Sequence, residues 1–560
     1  MIDGLRYQLA AGLLRLADAT GHLLLRRPKG FAPTGRCAVP SADPDPTGRS
    51  RGLERALRRY ATTPATTRFR LSCALDHDTV AELPPDERYP WSMLASKLPV
   101  LGSVRLDVGS DRRIRRLAEL DPLYALLPRP AAAAWWDDDA AFARQRLTGP
   151  NPMSLERVSL ARVSLARVSS EAPEDGLSAA LAATVTPGRP VFAVDHRALL
   201  RRVTPRPGTS LPPIRALFQE QGGTLVARAI AAETPRGELV ARPGDPGWRL
   251  LRAWFQSADF WVHEVVVHYL WTHVIGEKLV LATRRRLSLR HPVHRLLGPH
   301  LAHTLQMNRN GVQRLMVDGG LFDTAFAAGP AGKAEAIRWG TAEWRFWRMV
   351  HPENVARRGL DALTDHPWRD DGQLVWDAVH AHTEAWVRWW YPTDAAVRGD
   401  PELRAWGDEL GAQLGDRGLP DPTDRDTLAL LLAAAMFDVI QHDLVNAPQY
   451  DHFGWPPNAP SQVWAAIPDD LRDAPDDPVS WLPDLGTCRS AALATYAFSR
   501  RFEPLGSGLS RWYPPEAHPL GRRFVAALRS VDRRVAERNR ARPVPYRIAA
   551  PWALGNSVSA

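Results

Sequence analysis

Apolar side chains recur at helical intervals through most of the second half of the chain. Four long segments repeat apolar residues every three or four positions, which is the period of one face of an α-helix. They are residues 248–277, 371–391, 427–446 and 524–540. Strand-like stretches are rare, and residues 190–194 and 224–231 are the best cases. The pattern predicts a mainly α protein with a few short strands.

The composition is that of a globular protein large enough to fold without cross-links. A length of 560 residues, 45% of them hydrophobic, allows roughly two to four domains or one large one. The three cysteines (Cys37, Cys73 and Cys488) lie far apart, which excludes a disulfide framework, a zinc finger and a cysteine-held cluster. The net charge of +9 is small for this length and almost all of the basic residues are arginine. We therefore expect no nucleic-acid partner.

The apolar runs are shorter than a membrane-spanning helix. The run at 428–437 has ten residues and ends at Asp438, whereas spanning needs about 20. The Arg/Pro-rich N-terminal segment (1–75) begins with apolar residues at helical spacing, interrupted by charges, which is unlike a secretory signal. We expect an amphipathic helix there that packs on the body, or that touches a lipid surface or covers an opening. A cytoplasmic location, with peripheral membrane contact as the other option, follows by default.

Three equally spaced histidines are the most informative feature. His263, His268 and His273 lie five residues apart in an apolar, helical context, and neutral imidazole is the commonest protein ligand for transition metals. On an α-helix five residues rotate a side chain by roughly 500°, about 140° from the same face. Two of them can therefore share a metal only if the helix adopts a π-type turn. The alternative is ordinary core or surface histidines on one long helix.

The resemblance of His263-Glu264…His268 to a zinc-protease motif is misleading. The gap is one residue too long for the i, i+4 face that the HExxH motif needs. A metalloprotease is therefore not expected.

Two further pieces carry polar groups into apolar surroundings. His442 and Asn446 are four residues apart after the apolar run, hence on one buried face of a helix. They need partners there, either a metal or ordinary hydrogen bonds. Residues 554–560 carry no charged side chain and follow an apolar stretch. If they are buried, the terminal carboxylate requires a cation.

Together these pieces resemble the iron-site signature of the lipoxygenases, H-[E/Q]-x3-H-x-L-x-[S/T]-H-x3-E. The matching residues are His263, Glu264, His268, Leu270, Thr272, His273 and Glu277, followed by Ala282-Thr283, His291-Pro292 and Pro299-His300. Other stretches are similar to family segments: LPPDERYPW (83–91), WWDDDAAFARQRLTGPNP (135–152), YPTDAAVRGDPELRAW (391–406), QYDHFGWPPNAP (449–460) and the tail NSVSA. The resemblance covers about residues 80–560.

The resemblance implies a fold and a metal. We expect one large helical catalytic domain over residues 76–560, without the family's N-terminal PLAT β-barrel, as in many bacterial members. The implied cofactor is non-haem iron, with manganese as an alternative, and a water or hydroxide on the metal as the base. The implied ligands are His268, His273, His442, Asn446 and the terminal carboxylate of Ala560.

Other positions acquire roles through the same resemblance. Glu264 and Gln449 match groups that orient the ligands. Gly311 is a candidate for the small residue of the substrate channel. Arg314, or else Arg309, is a candidate partner for a substrate carboxylate.

The implied reaction is insertion of O2 into the 1,4-pentadiene unit of a polyunsaturated fatty acid, giving a lipid hydroperoxide. The chain departs from the family in ending with Ala560 instead of Ile or Val, in having Ala447-Pro448 after Asn446, and in a shorter segment at 310–323. These departures leave open an enzyme that rearranges a hydroperoxide or oxidises an unusual diene. A metal-poor lipid-binding protein on the same fold is the third option.

Overall fold

The computed structural model describes residues 35–69, 78–89, 112–125, 127–158, 179–499 and 503–558, with the single positions 9, 33 and 71. The amphipathic helix expected at the N-terminus lies outside these residues except for position 9, and Ala560 lies outside them altogether. The division of the chain at residue 75 therefore stays a prediction.

One long helix, Trp248–Arg286, is buried along almost its whole length and is named the histidine helix here. Its first part (Trp248–Val262) and last part (Ile275–Arg286) are α-helical, and its middle (His263–Val274) is a π-helix. Two histidines five residues apart can share a metal only if the helix has a π-type turn, and such a turn is present where the histidines lie.

A second buried helix, Arg425–Asn446, packs against the π-helical segment and is named the partner helix. Asp424 caps its start, accepting a hydrogen bond from the Thr427 backbone N–H at 2.8 Å. Trp248–Arg286 and the stretch Arg425–Phe453 are both long and apolar enough to cross a membrane, but 94% of the most apolar window of each is buried inside the protein. Burial of this extent is what core helices show.

The histidine helix and the partner helix cover two of the four segments that the apolar period predicted, and helices Pro367–Trp390 and His518–Ala541 cover the other two. The remaining α-helices of ten or more residues are Pro46–Arg59, Asp139–Thr148, Gly329–Glu343, Pro367–Trp390, Pro401–Leu414, Leu485–Phe498 and His518–Ala541. The shorter α-helices are Ala65–Arg68, Ala179–Ala182, Arg197–Leu200, Pro292–Leu297, Thr304–Gly311, Leu321–Thr324, His351–Arg357, Asp394–Arg398, Gln449–Phe453 and Leu509–Trp512. The prediction of a mainly α fold is confirmed.

Within the described ranges the strands form two antiparallel sheets. The strands in chain order are β1 (Thr62–Pro64), β2 (Asp78–Val80), β3 (Leu155–Val158), β4 (Val191–Asp195), β5 (Ile214–Gln221), β6 (Thr224–Thr234) and β7 (Gly237–Ala241). β1 pairs with β2, and β3 to β7 follow one another in sequence order. Sequence inspection found β4 and β6 but missed β5, because its first six residues are all buried and show no alternation.

A close approach of helix Gly329–Glu343 positions the π-helical segment. A Cβ atom on Gly340 would lie 2.7 Å from the Leu270 side chain and 2.9 Å from Val266. The Trp271 Nε1–H donates to the Gly340 carbonyl at 3.0 Å. Glycine at this position lets the two helix backbones approach closely. The hydrogen bond from Trp271 fixes how the two helices are shifted along each other.

A buried polar cluster ties the histidine helix to helix Asp139–Thr148. Asp259 pairs with Arg146 and also accepts from Asn151 Nδ2 at 2.7 Å, while His196 Nε2 lies 3.0 Å from it. Burial alone would raise the pKa of Asp259, but Arg146, His196 and Asn151 hold it well below its usual range. The carboxylate stays ionised one turn before His263.

Candidate metal centre

Three histidines from two helices meet at one buried point. His268 and His273 come from the π-helical segment and His442 from the partner helix. The Nε2 atom of His268 lies 3.2 Å from that of His442 and 3.2 Å from that of His273. All three side chains are buried, and their nitrogens lie within 4.8 Å of one another, close enough to hold one metal ion.

The other ring nitrogen of each histidine faces an oxygen acceptor. The Nδ1 pairs are His268 with Glu264 (3.1 Å), His273 with Asn308 (2.8 Å) and His442 with Asp443 (2.9 Å). Because a carboxylate or amide oxygen accepts from an imidazole N–H, the contacts of His273 and His442 place the proton on Nδ1, and the contact of His268 does the same when Glu264 is the acceptor. Each Nε2 is then a bare lone pair directed at the other two.

Burial keeps the imidazoles of His268 and His273 uncharged. It lowers the pKa of His268 to about 3. Burial, reinforced by the neighbouring His442 and His268, holds the pKa of His273 well below its usual range. The Nε2 lone pair of His268 lies 3.2 Å from those of His442 and His273 with no hydrogen between them, so these contacts are repulsive and are not hydrogen bonds. A divalent transition metal is the group that this donor set fits.

Asn308 is a residue of the site that sequence analysis missed. Its Oδ1 accepts from His273, and its Nδ2 donates to the His273 carbonyl at 2.7 Å and to Glu277 at 2.8 Å. Thr79 donates to the other oxygen of Glu277 at 2.7 Å. Burial raises the pKa of Glu277, despite these donors. Thr79, Glu277 and Asn308 thus form a hydrogen-bonded chain that ends at the His273 Nδ1. This chain orients the His273 ring from the nitrogen that does not face the other histidines.

Glu264 and Gln449 each contact a residue that the resemblance predicts to be a metal ligand. Glu264 contacts His268 as described, and burial raises the pKa of Glu264 to about 8. The Gln449 side-chain amide donates to the Asn446 Oδ1, and the Asn446 Nδ2 donates to the Phe498 carbonyl at 2.6 Å. The amide of Asn446 is thus held on both sides, one turn after His442.

The C-terminal segment is buried up to the last residue that the structure describes. Residues 554–558, named the tail, have only Ser557 partly exposed. The His300 Nδ1–H donates to the Asn556 carbonyl at 3.1 Å, and the Asn556 N–H donates to Glu503 at 2.8 Å. Pro504 and Gly555 form an antiparallel bridge. The predicted ligand Ala560 lies two residues beyond the described end.

His263 does not reach the cluster of Nε2 atoms through a hydrogen bond. Its ring stacks on His268 with centroids 5.6 Å apart, and neither of its ring nitrogens has a partner among the described residues. His263, Glu264 and His268 also lie close enough to hold a metal. In that group, however, the His268 Nδ1 is engaged in a hydrogen bond with Glu264. The Nε2 lone pair of His268 faces His442 and His273 instead.

The predicted substrate residues lie on the neighbouring segment. Gly311 ends the helix Thr304–Gly311, and Arg314 lies in the π-turn Val312–Met316 that follows. Asn308, on the same helix as Gly311, joins this segment to His273. A Cβ atom on Gly311 would meet nothing within 4 Å. Their substrate role stays a prediction.

A cavity of about 550 Å³ borders the tail on a different side from the histidines. Helix Pro46–Arg59 forms one wall, and Asn556 and Ser557 form part of another. Six arginines and four acidic residues line it, and none of the three histidines does. A substrate in this cavity would not touch the histidine cluster.

Comparison with known proteins assigns the family. The lipoxygenase family profile matches residues 217–477. The mouse polyunsaturated fatty acid lipoxygenase ALOX8 is 30% identical over 521 residues, covering 87% of this chain and 76% of the relative. The human hydroperoxide isomerase ALOXE3 is 30% identical over 447 residues, covering 76% and 62%. The crystal structure of coral 8R-lipoxygenase superimposes with a TM-score of 0.80 at 22% identity, covering 94% and 83%.

These matches agree with the convergence of the signature histidines. The relatives span both the profile region and the residues around it, and the fold is the same as that of the solved neighbour. The resemblance inferred from the motifs is confirmed, and the chain belongs to the lipoxygenase family.

Proposed function

We propose that the protein is a non-haem iron dioxygenase that inserts O2 into a polyunsaturated fatty acid to give a lipid hydroperoxide. The observation that carries the proposal is the set of three Nε2 atoms that converge on one buried point, with that of His268 3.2 Å from each of the other two. Family membership supplies the reaction class, and the name of the ALOX8 relative supplies the substrate class.

In this proposal five groups hold the metal. His268, His273 and His442 provide the imidazole nitrogens, Asn446 an amide oxygen and Ala560 the terminal carboxylate. Mixed nitrogen and oxygen donors suit both iron and manganese. We favour iron because a bound iron ion supplies the one-electron redox step needed to remove a hydrogen atom from a doubly allylic CH2.

The chain's own residues orient, exclude water and hold protons. Glu264, Asn308 and Asp443 fix the ring tautomers, so that each Nε2 stays free to bind. The apolar side chains of the two buried helices keep bulk water away from the centre, which protects a carbon radical from side reactions.

The test combines metal analysis with oxygen uptake. Protein reconstituted with Fe²⁺ under anaerobic conditions is expected to hold about one iron per chain. When linoleate and O2 are then added, the loaded protein should consume O2 and form a conjugated diene. His268→Ala should lose both the iron and the oxygen uptake. His380→Ala is the matched control, because His380 is a half-buried histidine on helix Pro367–Trp390 and is not one of the proposed metal ligands. Iron-loaded protein without turnover of any unsaturated acid would contradict the proposal.

A second candidate is a hydroperoxide isomerase on the same centre. ALOXE3 matches this chain at the same sequence identity as ALOX8, and this favours hydroperoxide isomerisation as the second candidate activity. The two are separated by the substrate consumed. An isomerase removes a fatty-acid hydroperoxide without net uptake of O2, whereas a dioxygenase consumes O2 with the unoxidised acid.

A further inference from the structure

Asp443 bridges a histidine of the cluster and the tail. Its Oδ1 accepts from the His442 Nδ1–H at 2.9 Å, and its Oδ2 accepts from the Gly555 backbone N–H. The residue is 3% exposed. One carboxylate thus joins two segments that lie 112 positions apart in the chain.

The contact with His442 has a direct chemical effect. A carboxylate on Nδ1 fixes the tautomer, so the Nε2 lone pair faces His268, and it raises the basicity of that nitrogen as a metal ligand. The Asp443 carboxylate accepts hydrogen bonds from the His442 Nδ1–H and the Gly555 N–H, both of them uncharged donors. The negative charge is therefore compensated through the imidazole and whatever the imidazole binds.

The contact with the tail depends on the absence of a side chain at Gly555. A Cβ atom there would lie 2.8 Å from the Asp443 Oδ2, closer than side-chain carbons approach oxygen. Within the described ranges, the tail's other hydrogen bonds to distant parts of the chain join Leu554 and Asn556 to His300 and to residues 503–507. None of these partners is one of the three clustered histidines, whereas Asp443 bonds to one of them.

We propose that Asp443 is a positioning residue that couples metal binding at His442 to the seating of the tail. The inference rests on the proposed function, since it requires a metal on the His442 Nε2. A metal that draws charge from His442 strengthens the Nδ1–H bond to Asp443 and holds the carboxylate in place for Gly555. By reciprocity, a seated tail raises the affinity of the site for the metal by the same factor.

The test measures Fe²⁺ affinity and tail exchange in the full-length protein. The dissociation constant comes from chelator competition without oxygen, and amide hydrogen exchange is followed in the peptide that contains residues 554–558. In the parent protein, Fe²⁺ should slow exchange of the tail by about 10- to 100-fold. Asp443→Ala and Asp443→Asn should bind Fe²⁺ about 10- to 100-fold more weakly and lose most of the metal-dependent protection.

Two further variants separate coupling from simple loss of stability. Asp438→Asn is the matched control, because Asp438 is buried one turn earlier on the same helix and its carboxyl makes no hydrogen bond among the described residues. It should retain the parent's Fe²⁺ affinity and tail protection. Gly555→Ala pushes on Asp443 from the tail side and should weaken Fe²⁺ binding, although it changes no residue of the partner helix.

The outcomes distinguish the two proposals. If the parent binds no Fe²⁺, the proposed function fails, and the coupling fails with it. If the parent binds Fe²⁺ while the Asp443 variants and Gly555→Ala bind it equally tightly with unchanged tail protection, the coupling is overturned and the proposed function stands. If Asp443→Ala does not fold, Asp443→Asn and Gly555→Ala decide the question.

Discussion

The Nε2 atoms of His268 and His442 lie 3.2 Å apart although the residues are 174 positions apart in the chain. The π-helical segment turns His268 toward the partner helix, and Glu264 and Asp443 hold the protons of both rings on the outer nitrogens. Two lone pairs at this distance oppose each other, so the folded protein gains free energy when a cation separates them.

Metal removal is expected to lower stability. At a metal concentration of 100 times the dissociation constant, binding to the folded state alone contributes about 2.7 kcal/mol. We expect the urea midpoint of the loaded protein to exceed that of the chelated protein accordingly, and His268→Ala to abolish the difference. A chelator that leaves the midpoint of the loaded parent unchanged would contradict a metal at this point.

Asn308→Ala is expected to weaken metal binding and to destabilise the fold. The substitution removes the acceptor that orients His273 and a donor to the buried Glu277. The metal dissociation constant should rise about 10- to 100-fold, and the lost partner of Glu277 should cost about 1–3 kcal/mol. Gln306→Ala, on the same helix but bonded only to Asn310 in the contacts described, is the control. Equal metal affinities in the two variants would refute the role of Asn308.

Asp259→Asn is expected to be strongly destabilising. Asp259 is 1% exposed and pairs with the equally buried Arg146, so loss of its charge leaves a guanidinium uncompensated. The expected cost is about 3–5 kcal/mol. Glu353→Gln breaks the exposed Arg357–Glu353 pair and should cost about 0–1 kcal/mol. Urea unfolding of both variants at pH 7 measures the contrast, and similar costs would show that burial of the Asp259 pair does not matter.

His382 is expected to make stability fall as the pH drops below neutral. Burial lowers the pKa of His382 to about 3, whereas the unfolded chain takes up a proton near pH 6.5. The unfolded state therefore binds more protons between these values, and stability declines from about pH 6.5 downward. By pH 5 this residue alone accounts for about 2 kcal/mol.

The variant His382→Phe checks this pH dependence. Phenylalanine keeps the stacking on Phe524, where the ring centroids are 4.4 Å apart, but loses the hydrogen bond between His382 Nε2 and the Tyr513 hydroxyl. We expect a loss of about 1 kcal/mol at pH 7, with a pH 7 to pH 5 decline that is about 2 kcal/mol smaller than in the parent. An unchanged decline would mean that His382 is not the responsible group.

Sequence alone predicted the helices that carry the centre. The period of the apolar residues located both buried helices. The histidine spacing of five needs a π-type turn if two of the histidines share a metal, and the structure contains a π-helical segment there. These features could be predicted because each depends on residues a few positions apart in one helix. The family followed from motifs that keep the same spacing, and it is confirmed.

The supporting residues could not be predicted in the same way. Asn308 reaches His273 only because helix Thr304–Gly311 folds back against the histidine helix, which no local pattern records. Asp443 follows His442 directly, and neighbours on a helix do not usually face each other. Its link to Gly555 depends on the tail packing there. The ligand roles of Asn446 and Ala560 stay predictions.

The π-helical segment also determines how the rest of its helix is rotated. Its hydrogen bonds skip one more residue than those of an α-helix, so the side chains of Ile275–Arg286 are rotated about the helix axis relative to where a continuous α-helix would place them. That last part packs against helix Pro401–Leu414. Deleting one residue between His268 and His273 would therefore misdirect both an imidazole and a packing surface, so insertions and deletions here should be tolerated far less than substitutions.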